Sequence, residues 1–111
     1  MSLLLHISIN FKDQFDSDAL KKELNKAIDW IHYMPNCWIV LTSNHADIWW
    51  LRLYPLLKDN DFMLISPIDP AETRGWLPQW AIDWFEAARV KVQEIGPEFV
   101  PDQKQLPLKS S

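Results

Sequence analysis

The chain has 111 residues, 48% of them hydrophobic and 23% charged, with a formal net charge of −4. That length sets the expectation at one domain, and the acidic balance argues against a general nucleic-acid binder, which must neutralise phosphates with many Lys and Arg. Gly75 and Gly96 are the only two glycines and neither sits in a glycine-rich pattern, so a nucleotide-cradling loop is not expected.

The lone Cys37 has no internal disulfide partner and suits a reducing compartment. No stretch approaches the ~18 apolar residues of a membrane span. The first ten residues lack the basic region and cleavage site of a signal peptide. A cytoplasmic protein without membrane association is expected.

In chain order, residues 3–10 alternate Leu3, Leu5, Ile7 and Ile9 with Leu4, His6, Ser8 and Asn10, the pattern of a strand. After a polar connection, Ser17 can cap a helix running to about Asp29, with Leu20, Leu24, Ala27, Ile28 and Ile31 on one stripe. Residues 30–34 read as a strand hairpinned through Pro35-Asn36 to Cys37–Thr42, the segment densest in β-formers. Ser43 to Asp47 opens a second helix carrying Trp49, Leu53, Leu56 and Leu57. Pro55 removes a backbone donor there, so a kink or change of pitch is expected.

Residues 62–66 read as a fourth strand and residues 67–75 as a loop. A third helix is expected from about Pro78 to Ile95, with Trp80, Ala81, Trp84, Phe85, Ala88, Val92 and Ile95 as its buried stripe. Gly96-Pro97 stops it. The domain is thus expected to span residues 1–95, with a flexible tail over 96–111. The succession strand, helix, strand, strand, helix, strand, helix predicts an α+β, ferredoxin-like βαββαβ fold with an additional C-terminal helix. Two helices would cover one face of the sheet. The other face would be hidden by the third helix, a second copy of the chain, or a ligand.

The segment Cys37-Trp38-Ile39-Val40-Leu41-Thr42-Ser43, the helix end Leu53-Tyr54-Pro55-Leu56-Leu57 and the strand Asp61-Phe62-Met63-Leu64-Ile65 resemble a known group. They are similar to the small ferredoxin-like proteins related to the CRISPR-associated adaptation subunit, a metal-dependent endoribonuclease family, over residues 3–67. The resemblance implies that fold and a tendency to dimerise through sheet faces. In the active members an Asp ends the first strand, where two subunits bring carboxylates around a metal. Here Asn10 stands at that position, and an amide is a poor substitute for a carboxylate toward a hard cation. Asp13 and Asp16 are the nearby residues that could compensate, with Mg or Mn as the cation.

His6, His32, His45 and Cys37 lack the spacing of a zinc site, and Cys37 has no base beside it in sequence. The seven tryptophans are the stronger signal. Trp76, Trp80 and Trp84, with Arg74 just ahead of them, either fill the core or form a docking surface, because indoles serve both roles. Trp49 and Trp50 point about 100° apart on a helix, so one of the two should reach a boundary or an interface.

The leading expectation is therefore a non-catalytic protein-interaction module without a cofactor. It would be homodimeric, and an inhibitor, antitoxin or immunity-type protein acting on a basic protein target is one version of it. Arg74, Trp76, Trp80, Trp84 and Trp50 are the contact residues. Two alternatives stay open: a divalent-metal-dependent endonuclease using Asn10, Asp13 and Asp16, and a small-molecule-binding regulatory domain.

Overall fold

The computed structural model describes residues 2–95, with side chains as far as Val92, and the backbone of residues 109 and 110. Four strands, β1 (Leu3–Asn10), β2 (Asp29–Met34), β3 (Cys37–Thr42) and β4 (Phe62–Pro67), form one antiparallel sheet in the order β2-β3-β1-β4. Its register aligns Leu5 with Val40 and Ile7 with Trp38 on one side of β1, and Ile7 with Ile65 on the other. The β2–β3 hairpin turns at Pro35-Asn36, with a register shift between His32 and Met34. Helices α1 (Ser17–Leu24), α2 (Ala46–Leu53) and α3 (Gln79–Ile95) complete the α+β fold.

Because strand side chains alternate in direction, each face of the sheet has its own core. On one face Leu5, Ile7, Ile9, Trp38 and Val40 meet Leu20 and Leu24 of α1 and Trp49 and Leu53 of α2. On the other, Leu4, Ile39 and Leu41 meet Ile82, Phe85 and Ala88 of α3. The molecule is thus three layers, with α1 and α2 below the sheet and α3 above it.

Helix α1 is shorter than its apolar stripe suggests. Asp16, not Ser17, is the N-cap, its carboxylate accepting from the Ala19 N–H at 3.0 Å. The helix ends at Leu24, and the chain turns so that the Ile28 N–H donates to the Leu41 carbonyl. Ile28 and Ile31 therefore leave the helical stripe, and Ile31 packs on the α3 side of the sheet. Sheet hydrogen bonds have overridden local periodicity, as tertiary context commonly does.

In α2 the expected break is present: Tyr54–Leu56 tighten into a single 3₁₀ turn with Pro55 at its start. Of the adjacent indoles, Trp49 is fully buried and Trp50 is exposed.

The buried face of α3 is Ala81, Ile82, Phe85 and Ala88. Trp80, expected on that stripe, instead points outward, because the helix meets the sheet one residue further round. The loop before α3 holds a short 3₁₀ turn, Pro70–Glu72, and a two-residue strand β5 (Trp76–Leu77) that pairs in parallel with β6 (Lys109–Ser110). Apart from residues 109 and 110, the expected tail lies outside the described residues. Among the described residues, no helix is long and apolar enough to cross a membrane.

Candidate functional site

Helix α3 covers only part of its sheet face. The register sets Phe62 of β4 opposite Asn10 and Leu64 opposite Ser8, with Cys37 of β3 on the far side of Ser8. All five side chains point to the α3 side by alternation from Leu4, yet none belongs to the core that α3 forms there. Phe62 and Leu64 are 68% and 67% exposed, on an edge strand whose outer backbone groups have no partner strand among the described residues. Sequence reasoning missed this pair. The run Phe62-Met63-Leu64-Ile65 is continuously apolar, which reads as a strand buried on both faces; only Met63 and Ile65 pack against a core.

The predicted contact residues separate. Trp76 is 79% exposed and Trp80 53%, flanking the start of α3. Trp84 is half-buried and structural: it packs on the α3-side core and its Nε1–H donates to Asp29 Oδ2 at 3.0 Å. Trp50 lies on a different layer, stacked on Tyr54 with ring centroids 5.6 Å apart, beside exposed Leu51. Arg74 donates from Nη1 to the carbonyls of Thr73 at 2.9 Å and Ala71 at 3.4 Å rather than to an indole. The structure therefore does not gather Arg74, Trp76, Trp80, Trp84 and Trp50 on one surface.

The residues of the metal alternative take different places. Asn10 is exposed at the end of β1, Asp16 caps α1, and Asp13 lines an open groove of about 570 Å³ with Phe11, Phe15 and Ser17. Among the described residues, no three or more His, Cys, Asp or Glu side chains are grouped to hold a metal ion.

A polar cluster forms that no spacing of residues along the chain foreshadows. His6 Nε2 lies 2.6 Å from the Tyr33 hydroxyl, and Tyr33 neighbours Cys37. Burial, then the Cys37 thiol beside it, pushes the Tyr33 pKa up to about 12. Burial also lowers the His6 pKa from 6.5, so its ring is held neutral. The folded state then binds fewer protons than the unfolded chain between the lowered value and 6.5. The stability this confers is complete above pH 6.5 and is lost as pH falls through that window. Thermal melts should show a fall in Tm as pH drops below 6.5 that is shallower in His6→Gln, a side chain that does not titrate there.

Asp61 has the opposite character. Its carboxylate accepts from the Lys12 N–H at 2.9 Å and the Lys58 N–H at 2.8 Å, tying the end of β1 to the entry of β4. Those two bonds lower its pKa, the Lys12 bond first. The clamp stabilises above the unfolded carboxylate pKa and releases as pH falls through the lower folded value. Asp61→Asn should unfold at lower urea concentration than the parent at neutral pH and converge with it in acid.

No protein-family model, curated protein or solved structure matches the chain.

Proposed function

We propose that this protein is a ferredoxin-like interaction module that acts as a homodimer and presents indoles to a basic protein partner. The observation that carries this reading is the apolar pair Phe62 and Leu64, which no other described residue covers, on an edge strand. A large apolar side chain alone on a surface needs no explanation, but two on one face of an edge strand form a strip that invites cover. A second copy is the simplest cover, since a two-fold axis sets the same strip against itself. The succession β1-α1-β2-β3-α2-β4 and the sheet order β2-β3-β1-β4 support the ferredoxin-like reading. So does the resemblance over residues 3–67 to the CRISPR adaptation-subunit group, whose members associate through their sheets.

Trp76 and Trp80 supply the second surface. Exposed tryptophan is the residue type most enriched among binding hot spots, and the net charge of −4 would speed encounter with a basic target.

Light scattering on the purified chain tests the dimer. A mass of two chains at about 100 µM, a concentration at which even a weak specific dimer is populated, is expected. Leu64→Lys should halve that mass while leaving the far-ultraviolet circular dichroism unchanged. A monomeric parent, or a Leu64→Lys dimer, overturns the reading. For the second surface, Trp76→Ala and Trp80→Ala should keep the fold and lose partner capture.

A further inference from the structure

We infer that the cavity between the β2–β3 hairpin and the loop entering α3 is a binding site for a small carboxylate carrying an apolar or aromatic body. The cavity is about 250 Å³, smaller than the ~300–1,000 Å³ typical of drug-sized ligands. Its walls are mostly apolar: Ile39 and Phe85 are core residues, and Leu77, Met34 and the Tyr33 ring complete them. A cavity of this kind binds through its apolar lining and orients the ligand through a few polar groups.

Here the charged group is Arg74, the one ionised side chain among the described lining residues. Its guanidinium is anchored through Nη1 by the Thr73 and Ala71 carbonyls, and among the described residues it has no ion-pair partner. The fork of N–H donors on a guanidinium matches a carboxylate in both charge and shape. The nearest acids in sequence do not compete for it. Asp69 Oδ1 accepts from the Ala71 N–H at 3.0 Å, and neither Asp69 nor Glu72 lines the cavity. Tyr33 stays a neutral phenol at physiological pH and so does not repel an anion. A buried apolar body with one carboxylate at the mouth is the chemistry that uses every one of these features. The site is independent of the dimer strip, which lies on β4.

Phenylacetate, phenylacetamide and acetate are the probes, titrated into the ¹⁵N-labelled full chain and followed by amide chemical shifts. Phenylacetate should bind with a low-millimolar or tighter dissociation constant, the range expected for about ten non-hydrogen atoms at ordinary ligand efficiency. Shifts should centre on residues 33–39 and 73–77. The neutral amide should bind about tenfold more weakly, a loss of one charge-assisted contact, and acetate should not perturb these residues. Arg74→Gln should remove the preference for the acid over the amide.

Gly75→Leu should abolish binding of both ring compounds by filling the cavity. The fold should tolerate it, because a Cβ at Gly75 meets only Leu77 side-chain atoms at ordinary contact distances of 3.6 and 3.7 Å. Equal affinity for acid and amide, phenylacetate binding that survives Arg74→Gln unchanged, or shifts located elsewhere would each overturn the inference.

Discussion

Replacing Trp49 by alanine is expected to destabilise the protein by about 3–5 kcal/mol, the range for removing a buried large aromatic side chain. Trp49 is completely buried in the core that α1 and α2 form against the sheet. Its Nε1–H donates to Thr42 Oγ1 at 3.0 Å, and that hydroxyl oxygen, itself buried, also accepts from the Asn44 N–H. The Arg52 guanidinium carbon sits 4.8 Å from the centre of the indole, so the ring also faces a half-buried cation. Arg52 donates from Nη2 to Asn44 Oδ1, while its buried Nη1 has no hydrogen-bond partner among the described residues. Removing the ring would therefore open a cavity and strip a partly desolvated charge of its aromatic neighbour.

Trp49→Phe separates those contributions. It keeps most of the apolar volume, loses the bond to Thr42 and should cost about 1–2 kcal/mol more than a neutral surface change. Trp50→Ala, next along the helix, should stay within about 0.5 kcal/mol of the parent because its side chain is exposed. Urea unfolding of the three variants reads this directly. Equal losses at positions 49 and 50 would mean that α2 is rotated from the orientation described.

The contrast between those neighbours also marks how far the sequence could be read. All four strands of the main sheet were legible, β1 through its alternation and the others through their density of β-formers between turn residues; β3, with Trp38 through Thr42 buried, is the plainest case of the second kind. The order of elements pointed to an α+β sheet with helices on it. Periodicity failed where two solutions differ by a small rotation. Trp80 and Ala81 fit one helical stripe equally well in sequence, and the sheet beneath α3 decides between them. It failed again at Ile28 and Ile31, where helical spacing and strand pairing competed and the bond from Ile28 to Leu41 won.

The site was less legible than the fold. Phe62 and Leu64 look like core residues until the position of β4 at the sheet edge is known. His6, Tyr33 and Cys37 lie on three different strands, and only the register of the sheet and the shift after His32 bring them together. The resemblance over residues 3–67 could convey neither fact, because it rests on apolar patterning rather than on the chemistry of single positions.

The upper layer offers the second large effect. Phe85→Ala is expected to cost about 3–5 kcal/mol by the same cavity argument, since Phe85 is fully buried at the centre of the contact between α3 and the strands. The loss should not be uniform across the molecule. Among the described residues, α3 is the only helix on its face, and Leu4, Ile39 and Leu41 are dry chiefly because Ile82, Phe85 and Ala88 cover them. Thinning that layer should let α3 open locally before the sheet and the lower helices unfold, since stability is distributed in cooperative units.

Hydrogen exchange would then quicken first in the amides of α3, while β1 and β3 retain protection. Trp84 provides the internal comparison: it is half-buried against the same core and also ties α3 to β2 through a bond to Asp29, and phenylalanine keeps most of its ring packing while losing that bond. Trp84→Phe should therefore loosen α3 much less than Phe85→Ala does, by roughly the ~1 kcal/mol of one hydrogen bond. Were the two variants to exchange alike, the helix would be held by its edge bond and not by its packed face. The three-layer arrangement would then owe its upper layer to polar contacts.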